Sequence, residues 1–174
     1  GGRTVLSFVG DRDEASRAYE AALVLDRFDA RALVGLAALA FDAGDYDAAS
    51  SRLEAAGAGG AAALEAARLR ARIEVVRGTG QAGAERVGAL ARQHRDAALH
   101  AALGELYAQA GQDSRARREF DAALSLDPNE TTALVGQALL SIPAAGFPPP
   151  QGSYLRPLAA AEGRGPAHAR PRRG

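Results

Sequence analysis

Residues 97–130 read AALHAALGELYAQAGQDSRARREFDAALSLDPNE. Two short amphipathic stretches flank Gly111, and Asp127-Pro128-Asn129 closes the second. Apolar residues recur three and four apart on each side of the glycine, which is the spacing of one helical face. A glycine between two such stretches marks the end of one helix and the start of the next. The segment therefore predicts two antiparallel helices joined by a tight turn, each needing neighbours to cover its apolar face.

The same unit recurs along the chain. Aligning its turn glycine gives Gly10, Gly44, Gly78 and Gly111, at spacings of 34, 34 and 33 residues. Five residues on stand Ala15, Ala49, Gly83 and Ala116; nine on, Tyr19, Leu53, Val87 and Phe120; twelve on, Ala22, Ala56, Leu90 and Ala123. Four columns in step across four copies are the mark of a repeat array. Each column has a physical sense. The glycine frees the backbone at the turn, the small residue allows close helix approach, and the large one fills the space between helices. The residue at twelve lies on the same helical face as the large one.

These columns resemble the tetratricopeptide repeat family. Its motif places Leu, Gly or Ala, and Tyr in helix A, then Ala, Phe or Tyr, Ala and Pro in helix B. Leu103, Gly104, Tyr107, Ala116, Phe120, Ala123 and Pro128 supply that motif in the fourth copy. The second copy has Leu33, Leu36, Ala37 and Ala40, then Ala49, Leu53 and Ala56; the first keeps Ala15, Tyr19 and Ala22. In the third, Arg70 and Glu74 stand where Leu and Tyr are expected, which allows a slipped register in that helix. The resemblance covers residues 3–142. It implies an all-α fold, a right-handed superhelical array of antiparallel helix pairs (an α-solenoid). The repeats would be 3–29, 30–63, 64–96 and 97–130, with a lone helix at 130–141 and a Pro/Gly/Arg-rich, disordered tail at 143–174. Helices are expected at 12–25, 30–43, 46–56, 61–77, 81–94, 97–110, 113–126 and 130–141, with residues 3–9 the remnant of a further helix A.

Composition agrees with closely packed helices. Apolar residues make up 47% of the 174, chiefly alanine and leucine, and aromatics only 5%. No apolar run approaches the about 20 residues that span a bilayer. Cysteine is absent, which excludes disulfides, zinc–thiolate sites and a cysteine nucleophile. Formal charge is zero, but residues 1–142 hold 16 arginines against 20 acids while residues 143–174 hold five arginines against Glu162. All basic residues counted are arginine, a bias expected of a GC-rich, bacterial gene. The chain begins Gly1-Gly2 without methionine, which is compatible with a fragment; the cytoplasm is the favoured compartment, and a lost signal peptide is compatible with the sequence.

Three stretches suggest chemistry and are better read as structure. Gly78-Thr79-Gly80-Gln81-Ala82-Gly83 has the G-x-G-x-x-G spacing of a dinucleotide-binding turn. No acid closes a second strand about 20 residues on, and Gly78 and Gly83 already occupy repeat columns. Asp42 to Asp47 is acidic but lacks the alternating ligands of a calcium loop; Asp45 or Asp47 suits a helix N-cap. His94, His100 and His168 do not cluster, and His100 falls at a core position of the repeat. No metal, cofactor or catalytic constellation is expected.

The remaining candidate is surface. The resemblance implies that helices A line a concave groove for an extended peptide or a partner helix. Its groove positions are Arg31, Val34, Ala38, Phe41 and Asp42 in the second copy, and Ala98, Ala101, Glu105, Ala108 and Gln109 in the fourth. In the third they are Glu65, Arg68, Arg72, Val75 and Val76. The Lys and Asn residues with which chaperone-binding members clamp a terminal carboxylate are replaced by Val34, Ala38, Ala101 and Glu105. Arg68 and Arg72, four apart, would pair with a partner's acid or simply face solvent. The implied function is a non-catalytic protein-binding scaffold or adaptor. The alternative is the repeat region of a larger enzyme, for example a transferase, with its catalytic domain elsewhere. Nucleic acid is not an expected partner, because the repeat region is slightly acidic and the arginine tail lacks interleaved aromatics. The apolar stretch 130–141 lacks the polar outer face of a terminal helix. It is expected to be covered by a further helix, by the tail, or by self-association.

Overall fold

The computed structural model describes residues 2–142, with side chains described from Gly10 onward. The tail at 143–174 lies outside the described residues. Eight helices follow one another among them: α1 (Gly2–Leu25), α2 (Ala30–Asp42), α3 (Tyr46–Ala56), α4 (Ala63–Val76), α5 (Gly80–His94), α6 (Ala97–Gln109), α7 (Asp113–Leu126) and α8 (Thr131–Ser141). All eight belong to one compact unit.

Local chemistry sets the helix ends. Asp29, Asp45 and Asp96 are the N-caps of α2, α3 and α6, each accepting a hydrogen bond from the backbone N–H three residues on, at 2.9, 2.9 and 3.2 Å. Such a cap satisfies one of the orphan donors of the first turn. Asp45 is thus a cap, as its sequence context suggests. The tight turns use glycine for its backbone freedom. Gly44, Gly78 and Gly111 have φ of 81°, 64° and 71°. In each turn two N–H groups fold back onto the last helical carbonyls: Gly44 to Phe41 and Asp45 to Ala40, Gly78 to Val75 and Thr79 to Glu74, Gly111 to Ala108 and Gln112 to Tyr107. This is the Schellman closure, repeated at the sequence interval of the repeat.

Gly10 departs from that pattern. The turn expected there is absent, and α1 continues through it from Gly2 to Leu25, so residues 3–9 are no separate helix A. A helical glycine costs only about 1 kcal/mol relative to alanine, and the first copy keeps only its helix-B motif.

Successive helices pack as pairs, and α2, α4, α6 and α8 also touch one another in series. Among the described residues the odd-numbered helices make no such lateral contact. The even helices therefore form the tighter, inner layer and the odd ones the splayed outer layer. The columns read from sequence are the core between the layers. Ala49, Leu53, Val87, Ala116, Phe120 and Ala123 are buried, in three successive clusters along the array.

Side-chain volumes are matched across this core at a fixed offset. Phe120 lies against Gly104, sixteen residues earlier, and Gly136, sixteen later. Tyr19 lies against Gly35, again sixteen later. Where the outer-layer residue is smaller, Leu53 or Val87, the residue sixteen later is Leu69 or Leu103. A large side chain from the outer layer meets a glycine, and an aliphatic one meets a leucine, which keeps packing density even along the array.

The third copy is not slipped. Arg70 donates to the carbonyls of Leu53, at 2.5 Å, and Gly57, at 2.9 Å, satisfying the C-terminal turn of α3. Glu74 accepts from Arg86 Nε and one Nη at 2.7 and 2.6 Å and from Thr79 Oγ1 at 2.7 Å. The two polar side chains in apolar columns are thus held by partners, and Arg86 and Thr79 keep the Glu74 carboxyl below its ordinary range despite partial burial. The G-x-G-x-x-G stretch serves the same packing. Gly78 is a turn, Gly80 opens α5, and Gly83 is buried beneath Thr79 and Leu106. The residues before it, Ala63–Val76, are helix where a dinucleotide fold needs a strand.

Candidate functional site

The inner layer carries two cavities in series. The first, of about 610 Å³, is walled by Arg31, Val34, Gly35 and Ala38 of α2, by Glu65, Arg68, Leu69 and Arg72 of α4, and by Ala98 of α6. Tyr19, Ala61 and Ala62 complete it. Arg31, Glu65 and Ala98 are the same repeat position in three copies. Val34 and Arg68 are the next, and Ala38 and Arg72 the one after. A 34-residue repeat brings them together because each helix A presents the same face to the same side.

The charged groups of this cavity differ in freedom. Arg68 is engaged: its Nε and one Nη meet the two carboxylate oxygens of Asp96 at 3.0 and 2.5 Å. That bidentate contact keeps the Asp96 carboxyl below its ordinary range, against the opposing effect of burial. It also ties α4 to the cap of α6. Arg72 lies over the Phe41 ring, its guanidinium carbon 4.4 Å from the centroid, a cation–π arrangement. Phe41 is itself buried and packs on Tyr46 at 5.3 Å between centroids. The pair Arg68–Arg72 is therefore not two equivalent free cations. One is spent within the fold, and the other stays exposed on an aromatic base.

The second cavity, of about 430 Å³, lies between α6 and α8. Glu105, Ala108 and Gln109 line one side; Thr131, Thr132, Val135, Gly136, Leu139 and Leu140 line the other, with Phe120 at the floor. Glu105 is half-buried, and burial, with the nearby Glu130 carboxylate, pushes its pKa above the ordinary value. Gln109 also reaches the Val75 carbonyl with its side-chain amide at 2.9 Å, joining α6 to α4.

Five expected groove residues line neither cavity: Phe41, which lies beneath Arg72, and Ala101, Asp42, Val75 and Val76. Ala101 is fully buried, 0% exposed, within the cluster formed with Ala116, Phe120, Ala123 and Ala133. Its small side chain lets α8 approach α6. Asp42 is exposed at the end of α2 and pairs with Arg12 at 3.0 Å. Val75 is half-buried against the second core cluster, while Val76 is exposed. His100 is half-buried, its Nδ1 2.8 Å from a Glu119 carboxylate oxygen.

Thr132, Val135 and Leu139 were not among the expected residues, though the period locates them: adding 34 to Ala98, Ala101 and Glu105 gives these three positions. Reading 130–141 only as a terminal helix hides them. Among the described residues no cluster of three or more His, Asp or Glu is placed to hold a metal ion. No helix among them is long and apolar enough to cross a membrane.

The described residues thus form an all-helical array of sequentially paired helices whose inner layer is cavitied and whose core follows a 34-residue period. Residues 97–140, spanning α6, α7 and most of α8, match the tetratricopeptide repeat family. The sequential pairing of the eight described helices is consistent with a tetratricopeptide-like array. Such repeats are in general scaffolds for protein interaction. No curated protein and no solved structure matches the chain.

Proposed function

We propose that this array is a non-catalytic scaffold that holds a partner protein against its inner layer, taking an extended segment or a helix along α2, α4, α6 and α8. The observation that carries this reading is the lining of the first cavity by equivalent positions of three successive copies: Arg31 with Glu65 and Ala98, Val34 with Arg68, and Ala38 with Arg72. A surface built by repetition presents side chains at regular intervals along several helices, which suits a long ligand better than a small molecule. Its walls are mainly apolar with few charges, and Arg72 is held over Phe41 with its donors still exposed.

The test is quantitative affinity capture with the full chain, comparing wild type with Ala38→Arg and Arg72→Glu combined. Ala38 is half-buried and Arg72 exposed on the cavity wall, so the substitutions fill the groove and replace the cation over Phe41 by an anion while leaving the fully buried core residues unchanged. Specific partners should be depleted at least tenfold by the variant, on the order of a lost interface anchor, and kept by a Glu54→Arg, Glu85→Arg variant of the outer layer. Partners retained by the groove variant and lost by the outer one would overturn the proposal.

A further inference from the structure

The second cavity differs chemically from the first. Among its lining residues Glu105 is the one charged side chain; the others are small, amide, hydroxyl or apolar. No ion pair of Glu105 is formed among the described residues. Of the other half-buried carboxylates, Glu74, Asp96 and Glu119 each face an arginine or histidine, while Asp29 and Glu130 accept hydrogen bonds from the backbone N–H groups of Ala32 and Thr132. Opposite Glu105, one helical turn apart on α8, stand Val135 and Leu139, 52% and 62% exposed. A half-buried carboxylate beside two open aliphatic side chains is complementary to a group with an aliphatic stem and a cationic head.

Resting on the scaffold reading above, we infer that the cavity between α6 and α8 is a cation-selective subsite that takes an arginine side chain of the partner segment. The stem would lie over Val135 and Leu139 and the guanidinium would meet the Glu105 carboxylate, which offers two oxygens to its fork of donors. Glu105 is otherwise disadvantageous to the array. Burial and Glu130 disfavour its charged form, and a glutamine would fit the same space without that cost. A group that costs the fold stability and points into a cavity is typical of a binding position. With Arg72 exposed in the first cavity, the inner layer has opposite charges at its two ends. The partner segment therefore binds in one direction, its cation toward α8.

The experiment uses the full chain on an array of immobilised decapeptides. Each has a central arginine among varied aliphatic flanks and is paired with versions carrying citrulline or glutamate instead. The arginine member should be retained about tenfold more strongly than its citrulline twin, the loss expected when a half-buried charge pair is broken. In Glu105→Gln, which is isosteric and should fold, arginine and citrulline members should bind alike. Arg72→Ala should leave the arginine preference in place. No retention of any arginine peptide, equal retention of arginine and citrulline by wild type, or a preference that survives Glu105→Gln would each overturn the inference. Binding without charge preference that is abolished by Ala38→Arg would leave the scaffold reading standing and remove only the subsite. Binding indifferent to both Ala38→Arg and Leu139→Asp would remove both.

Discussion

The matching of Phe120 with Gly136 predicts a mutation whose effect changes sign with its background. An ideal Cβ at Gly136 would collide with Phe120 Cζ and lie 2.6 and 2.7 Å from the two Cε atoms, and Phe120 is 1% exposed with nowhere to retreat. Gly136→Ala should therefore cost roughly 1–3 kcal/mol of overpacking. Against this stands a helix-propensity gain of about 1 kcal/mol, leaving a net loss of up to about 2 kcal/mol. Leucine has no atoms at Cζ or Cε. In a Phe120→Leu background, itself less stable by roughly 1–2 kcal/mol through lost burial, Gly136→Ala should be stabilising by up to about 1 kcal/mol. The coupling between the positions is then about 1–3 kcal/mol, beyond the non-additivity of distant sites. The assay is urea unfolding of the four proteins by far-UV circular dichroism, with curves fitted to a nearest-neighbour repeat scheme because arrays need not unfold in one step. Gly136→Ala acting with the same sign and size in both backgrounds would refute the claim that these residues share one space.

Other predictions rest on single features. Arg95, which ends α5, has φ of 47° in the left-handed region; the third copy is one residue shorter than its neighbours, and the two-residue link between α5 and α6 enforces this. Arg95→Gly should raise stability by about 1 kcal/mol, read as a higher denaturation midpoint, and a lower midpoint would contradict the strain. Asp45→Ala removes the cap of α3 and should cost about 1 kcal/mol, with Asp45→Asn nearly neutral in the same measurement. Two carboxylates should show opposite pH dependence. Asp96, lowered by Arg68, contributes stability present above its unfolded value and lost as pH falls through its lowered folded value. Asp96→Asn should thus be most harmful near neutrality and nearly silent in strong acid. Glu105, raised by burial, works the other way: its ionisation opposes folding as pH rises through the carboxylate range and above. Glu105→Gln should therefore raise the melting temperature at pH 7 and lose that advantage on acidification. Melting curves of both variants between acid and neutral pH check the two signs together.

The period and the helix pairs were legible in the sequence because they rest on local chemistry. Gly44, Gly78 and Gly111 are needed wherever the chain must take a left-handed turn, and Leu53, Val87 and Phe120 recur because each outer helix must fill one gap. The face that lines the first cavity was legible for the same reason: residues 34 apart in a regular array share one side. What needed the tertiary structure was the fate of individual side chains. Nothing local tells that Arg68 is consumed by Asp96, 28 residues away, or that Ala101 lies under α8 rather than in a groove. Nor does local sequence tell that Gly10 sits in an unbroken helix. Arg70 and Glu74 looked like breaks in the motif until the C-terminal turn of α3 and the Arg86 side chain came within reach. The unit at 97–130 decided the architecture through propensity, period and turn chemistry, all of which act within a few residues. The contrast between an exposed arginine over Phe41 and an unpaired Glu105 facing Val135 and Leu139 arises only when distant helices are packed together, because burial and pairing depend on neighbours that the period does not name.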